Sequence, residues 1–347
     1  MGDAMIETAL HLVVGTWSDV GGRGLYDVRL IDGAWVVGDA FADAPNASFG
    51  VHASRHGLHY IIDEHAGTIG VFSHDGRGWV RITTIDARGT APCHLALNDD
   101  QTLLAVANYG SGSVSLFRLN VRDGLPIGDV QTHVHRGSGP NAQRQEGPHA
   151  HWVGFGADGR WLYQTDLGTD QVLAFPIDRQ GVMGPPAIAF AAAPGAGPRH
   201  LAIHPRIGGI AYLASELANS LTVLAAAEGA FHERRTVSTL PDGWVGESAV
   251  AHVAVDRAGT RLYVSNRGHD SITVFALDAD GMPTPIQHVP VGGASPRFFL
   301  LIEDHRLIVV ANERDGTLTM LTIAADGRLG PTGVSLPIPG AAFAFRV

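Results

Sequence analysis

A phrase that recurs with variations, strand-type punctuation inside each copy, and a copy spacing near 50 residues together predict an all-β fold: a seven-bladed β-propeller with four-stranded blades. The phrase is clearest at His252 to Phe275, HVAVDRAGTRLYVSNRGHDSITVF, and returns at His94 to Phe117 as HLALNDDQTLLAVANYGSGSVSLF. Anchoring each copy on the small or polar residue that opens its last apolar run gives Thr68, Ser113, Gln171, Ser220, Ser271 and Thr317, with separations of 45, 58, 49, 51 and 46 residues. Each copy consists of short runs of β-branched and aromatic residues bounded by Gly, Asp and Asn. Leu10 to Leu30 supplies one more, degenerate copy, whose last run opens near Gly24, 44 residues before Thr68, so the count is seven. Four-stranded repeats of this length are the pattern of blades around a central channel. The 347 residues divide into seven units with no remainder for a second domain, so residues 1–347 are expected to form one propeller. The final AAFAFRV resembles the first strand of a blade that lacks its others. It is expected to pair with the N-terminal segment and close the ring, because an open sheet edge is a liability.

Composition narrows the function. Apolar residues make up 45% of the chain and charged ones 17%, the balance of a packed globular protein. No run approaches the roughly 18 apolar residues of a membrane helix, and no basic segment leads into an apolar one at the N-terminus, so a cytoplasmic location is expected. The one cysteine, Cys93, excludes an internal disulfide framework. A net charge of −10 argues against nucleic acid and anionic membranes as partners, leaving a small molecule, with the chain itself a monomer or weak homodimer. All 24 basic residues are arginines. The absence of lysine excludes a Schiff-base lysine, a phosphate-binding P-loop and a Ser-Lys dyad, so any anion must be held by arginines, main-chain amides or histidines.

The copies serve as controls for one another. Five places before each anchor lie Asp63, Asn108, Asp166, Ser215, Asn266 and Asn312, all turn-capable polar residues and therefore assigned to architecture. One place later lie Glu64, Tyr109, Leu167, Glu216, Arg267 and Glu313, a position without consensus and rich in charge. At the start of the innermost strands, Phe49, His94, His151, His200, His252 and Phe298 fall within a residue of equivalence, which suggests a structural ring of imidazoles near the channel mouth. His151 stands apart because it lies in RQEGPHAHWV, Arg144 to Val153, after a Gly-rich connection from Gly137 to Asn141 that belongs to the longest gap between anchors. His149 and His151 alternate as two same-side residues of a strand would, but no third ligand accompanies them, and no metal or other cofactor is assigned. Arg199, in GPRHLAIHP, and Arg297, in SPRFF, precede the inner-strand position of their blades and can fork onto a carboxylate or phosphate in the channel.

The phrases GPHAHWV, GPRHLAIHP, SELANSLTV and GTRLYVSNRGHDSITVF, in this order and spacing, resemble the seven-bladed propeller lactonase family, which includes the bacterial propeller-type 6-phosphogluconolactonase and the fungal 3-carboxy-cis,cis-muconate cyclase. The resemblance extends from VGTWS at Val14 to SPRFF and to ANERDG around Asn312. It implies a channel site with His151, Arg199, Glu216 and Arg267 as catalytic residues. His149, Arg144, Arg297, Glu64 and His252 are the candidate substrate-binding residues around it. Where the family has an acidic residue in an A-E-I or A-D-I phrase, this chain has His252 in VAHVAV, a departure that bears on substrate choice.

The expected reaction is hydrolysis of an anionic sugar lactone, 6-phosphogluconolactone or a related aldonolactone. His151 would be the general base, Glu216 its orienting partner or the acid, and Arg199 and Arg267 the anion-binding groups. Two alternatives use the same sequence features: a carboxymuconate-type cycloisomerase, which forms the lactone instead of opening it, and a non-catalytic propeller that serves as a binding platform.

Overall fold

The computed structural model describes residues 10–347. Seven antiparallel four-stranded sheets stand around a central channel, and six of them are built from strands consecutive in the chain. The anchors read from the sequence are the first residues of the third strands: Thr68–His74, Ser113–Leu119, Gln171–Pro176, Ser220–Ala227, Ser271–Leu277 and Thr317–Ile323. The blades are numbered here by these third strands, blade 1 holding Thr68–His74 and blade 6 holding Thr317–Ile323.

Blade 7 is composite. Its innermost strand is Ala341–Arg346, followed outward by His11–Thr16, Leu25–Ile31 and Ala34–Phe41. Ala341–Arg346 pairs antiparallel with His11–Thr16, with Val14 opposite Ala344 and Leu12 opposite Arg346, so the two ends of the chain close the ring as expected. Gly15 lies where His11–Thr16 passes the loop that leads from Ala34–Phe41 into blade 1. A Cβ there would fall 2.0 Å from the carbonyl oxygen of Ala47, so only glycine permits the approach.

The burial pattern explains why these residues form these strands. Second strands such as Leu103–Asn108 (LLAVAN) and Ile210–Ser215 (IAYLAS) are buried at every residue, because a neighbouring blade covers each face. Outermost strands alternate instead, as Leu329–Pro337 does, with one face against a blade and the other in solvent. Tyrosines tie adjacent blades together. Tyr212 and Tyr263, buried in second strands, donate their hydroxyls to the carbonyls of Gly281 and Gly327 in the outer hairpin of the next blade, at 2.8 and 3.0 Å, and Tyr60 bonds the carbonyl of Gly124 in the same way. The conserved-in-repeat asparagines are structural, as assigned. The Nδ2 of Asn108, Asn266 and Asn312 donates to hydroxyls of the following strand, among them Ser113, Thr273 and Thr319.

Phe343 is buried in the closing strand, in an apolar cluster that also holds Leu12 and Val14 of the N-terminal strand and Phe298 of blade 6. Phe343→Ala is expected to lower stability by about 3–5 kcal/mol in urea unfolding, through cavity formation in a strand whose pairing holds blade 7 together.

Candidate active site in the central channel

Two residues of the site, His151 and Arg199, are positioned by an irregularity that six of the seven blades share. Near the mouth end of the innermost strand, one residue is left out of the pairing with the second strand. Ala150 lies opposite Asp166 and Trp152 opposite Thr165, so His151 is extra. By the same pattern Cys93, Arg199, Arg297 and Ala342 are extra in their blades. In blade 5 the register shifts between Val250 and Val253 and places Ala251 there, while Ser48 precedes the first inner strand of blade 1, Gly50–Ala53. Such a bulge re-aims side chains and interrupts strict alternation.

This register corrects two readings from the sequence. His151 is not equivalent to His94 and His200; it belongs with Cys93, Arg199 and Arg297. Nor do His149 and His151 alternate as a same-side pair of a regular strand, because His149 precedes the strand and His151 is itself its unpaired residue. In every blade but blade 3 the residue one place further on belongs to a separate layer of rings. Phe49 stacks on His94 at 4.2 Å, His94 meets His200 at 5.5 Å, His200 meets His252 at 5.4 Å, and His252 lies 4.5 Å from Phe298. Phe298 and Phe343, 5.0 Å apart, and Phe343 and Phe49, 4.8 Å apart, complete the circuit. These six rings floor the channel, and the imidazoles expected at its mouth lie in that floor. His252 is among them, its Nδ1 3.2 Å from Nδ1 of His200, with no hydrogen bond to the charged groups above.

Those charged groups converge on one carboxylate. Glu216, 1% exposed, directly follows the second strand of blade 4. Its Oε1 accepts from Nη2 of Arg144 at 2.6 Å, and its Oε2 is paired with Nη2 of Arg267 at 2.9 Å and with Nη1 of Arg199. The three arginines come from different places: Arg144 from the long connection before blade 3, Arg199 from the bulge of blade 4, and Arg267 from the end of the second strand of blade 5. Arg199 is further fixed by donating Nε to the carbonyl of Ala251 at 2.9 Å, and its Nη1 lies 2.7 Å from Nε2 of His151. Guanidinium can only donate, so Nε2 of His151 accepts and the neutral ring carries its proton on Nδ1. That Nδ1 faces Sγ of Cys93 at 4.0 Å, and the Cys93 thiol reaches the His151 carbonyl at 3.4 Å.

Burial alone would raise the Glu216 carboxyl, but Arg267, Arg199, His151 and Arg144 together hold it well below the usual carboxylate range. Burial, reinforced by Arg199, pushes His151 well below its ordinary value, so the imidazole is neutral at physiological pH. Burial also lowers Arg199, to about 10, against the opposing pull of Glu216, and it remains a cation. The Cys93 thiol is pushed up by burial and stays protonated.

Arg297 and Glu64 belong to a second group in the channel. Arg297 pairs with Glu313 at 3.4 Å and stacks over the Trp17 ring at 4.4 Å, while Glu64 accepts from the hydroxyl of Ser48. His149 contacts the carbonyl of Tyr109 at 3.1 Å and Glu146 at 3.2 Å, and its ring stacks on Tyr109 at 4.4 Å. The structure therefore brings Arg144, His151, Arg199, Glu216 and Arg267 into one cluster, sets Arg297 and Glu64 apart from it, and puts His252 beneath. Tyr109 was passed over because it is uncharged, although it occupies the variable position that also holds Glu216 and Arg267; its ring stands edge-on to His151 at 5.5 Å. The bulge itself has a sequence signal in Pro92-Cys93-His94, Pro198-Arg199-His200 and Pro296-Arg297-Phe298: a proline opening the strand, the extra residue, then a ring.

The ring of seven blades thus encloses a floored channel that holds a buried carboxylate, a neutral imidazole and several arginines. The family described as "Lactonase, 7-bladed beta-propeller" matches residues 11–345, and the chain belongs to that family. It is 34% identical over 286 residues to the 6-phosphogluconolactonase of Bacillus subtilis (strain 168), covering 81% of this chain and 78% of the relative. Among solved structures it is similar to a putative 6-phosphogluconolactonase from Bacteroides fragilis NCTC 9343, with 25% identity, a TM-score of 0.88 and all of both chains covered. It is also similar to the periplasmic gluconolactonase PpgL of Pseudomonas aeruginosa, with 25% identity, a TM-score of 0.89 and 98% and 99% of the two chains covered. The protein is thus an enzyme of the lactonase class.

Two outcomes test this electrostatic description. Glu216→Gln keeps the shape of the side chain but leaves the buried Arg199 uncompensated, and is expected to cost about 3–5 kcal/mol in urea unfolding. Burial, with Arg199 and His252 nearby, lowers His94 and His252 to about 3. A histidine held low in the folded state contributes stability that is complete above its unfolded pKa, near 6.5, and is lost as pH falls toward the folded value. Unfolding free energy is therefore expected to drop between pH 6.5 and 4, and His94→Phe, which suits the ring layer, to reduce that slope by about 1.4 kcal/mol per pH unit.

Proposed function

We propose that the lactone opened by this enzyme is an anionic sugar lactone, 6-phosphogluconolactone or a related aldonolactone, bound in the central channel above the ring layer. The observation that carries the reading is the ratio at Glu216: three guanidiniums face one carboxylate, a surplus of two positive charges inside a buried site. Arginine forks match phosphate and carboxylate oxygens. Arg144, whose side chain is 41% exposed on a long connection, is the arginine a substrate meets first, whereas Arg199 is 3% exposed. The Glu216 carboxylate occupies the arginines as an internal anion. The name of the Bacillus subtilis relative supports a phosphorylated substrate, and that of the Pseudomonas aeruginosa structure supports a sugar lactone generally.

The chemistry follows from His151. While Arg199 donates to its Nε2, the lone pair is engaged and the imidazole is a weak base. A substrate anion that draws the arginines toward itself frees Nε2 and leaves Glu216 beside the ring, and both changes favour the protonated form, so basicity rises on binding. His151 then takes a proton from water as the oxygen attacks the lactone carbonyl. The tetrahedral oxyanion is stabilised by Arg199 and Arg267, and the imidazolium returns the proton to the departing ring oxygen, giving the hydroxy acid.

The test is turnover of phosphorylated and unphosphorylated aldonolactones at neutral pH, with spontaneous hydrolysis subtracted. His151→Ala and Arg267→Lys are each expected to lose about 100-fold to 1000-fold in kcat, the lysine failing because a point charge replaces a fork. Full activity of Arg267→Lys would remove that residue from the reaction. Turnover of a carboxymuconate in place of every aldonolactone would assign the cluster to lactone formation.

A further inference from the structure

Outside the channel, the closing blade and blade 1 bring together three side chains that none of the chemistry above uses. His11 opens the second strand of blade 7, Asp27 lies on the next strand outward, and His74 ends the third strand of blade 1. One ligand-type atom from each lies within 4.8 Å of the other two. His11 and His74 stand at the strand ends opposite Thr16 and Thr68, which face the mouth, so the cluster is at the far end of the blades from the active site. Nε2 of His11 lies 2.8 Å from Oδ1 of Asp27, and the His11 and His74 rings are 5.6 Å apart.

We propose that His11, Asp27 and His74 form a binding site for a divalent transition-metal ion of the Zn2+ type, which fastens blade 7 to blade 1. Two imidazoles and a carboxylate suit such an ion and disfavour Ca2+ or Mg2+, which take oxygen ligands. Zinc bonds of about 2.0–2.1 Å in a tetrahedron set ligand atoms roughly 3.3 Å apart, a small adjustment from the arrangement seen. His74 carries an independent sign. Its Nδ1 receives the amide of Gly76 at a long 3.3 Å, and its Nε2 is buried without a hydrogen-bond partner among the described residues. A buried polar atom left unpaired calls for an explanation, and an ion on Nε2 supplies one. The ring is held in place by Trp79, 4.7 Å away. The second oxygen of Asp27 is 3.9 Å from Nη2 of Arg29, whose side chain is 42% exposed and can turn outward as the ion enters. All three ligands are half-buried, so water completes the coordination shell.

The ion joins two segments of the first 41 residues, in strands His11–Thr16 and Leu25–Ile31, to Thr68–His74. An ion bound by the folded state alone stabilises it in proportion to the logarithm of its concentration. The experiment uses the full chain, treated with chelator and titrated with Zn2+ by calorimetry and thermal unfolding, with Co2+ as a visible-absorption probe of coordination. Wild type is expected to bind one Zn2+, to show a melting temperature that climbs with its concentration, and to give a Co2+ ligand-field spectrum. His74→Phe, which keeps the packing on Trp79, and Asp27→Asn are each expected to bind at least tenfold more weakly and to lose the thermal shift, while lactone turnover stays that of wild type with or without chelator. No Zn2+ binding by wild type would overturn the proposal. So would an undiminished shift in both variants, which would place the ion on other histidines of the chain.

Discussion

In an antiparallel sheet, consecutive residues point to opposite faces, so an innermost strand can normally offer the channel only every second side chain. The extra residue near the mouth of six of the seven inner strands lifts that constraint. Two neighbours in sequence, such as Arg199 and His200 or Arg297 and Phe298, can both face inward at different depths. The upper set is polar or small and the lower set is made of rings. In the blades of Arg199 and Arg297 one short segment thus supplies both a ring of the floor and a polar group above it, and the separation of the two layers there depends on that one irregularity.

Above the floor, electrostatics sets the arrangement. Arg199 and Glu216 are each almost fully buried, and neither charge would be tolerated there alone. Their mutual pairing, extended to Arg144 and Arg267, keeps the carboxylate ionised and the neighbouring imidazole neutral. The lysine-free composition gains a physical meaning here, because one carboxylate bridged by several planar forks needs guanidinium geometry that ammonium groups do not provide.

The ring, its blade count and its closure were legible in the chain because each rests on local pattern: the anchors mark the first residues of the third strands, and AAFAFRV pairs where an unpaired strand had to go. Comparison of the copies pointed to Glu216 and Arg267 because architecture imposes no residue at their position. The depth of each histidine was not legible. Period-two reasoning cannot see one added residue, and a shift of one exchanges the two faces, which is why His151 was grouped with His94 and His200. Prolines at 92, 198 and 296 marked the shift in three blades, but His151, after Ala150, carried no such mark. That Arg144 would reach Glu216 depended on the path of a long connection, which residue types do not specify.

The floor of rings has a consequence for the product of the proposed reaction. A channel closed below has one door, so the opened acid must leave past the arginines that admitted the lactone. It carries one more negative charge than it had on arrival, and those arginines hold it more firmly for that reason. Turnover in such a site is then governed by release as well as by bond breaking. In the proposed reaction the Glu216 carboxylate, paired with the same three arginines, would compete with the departing acid for them and reset the channel for the next molecule.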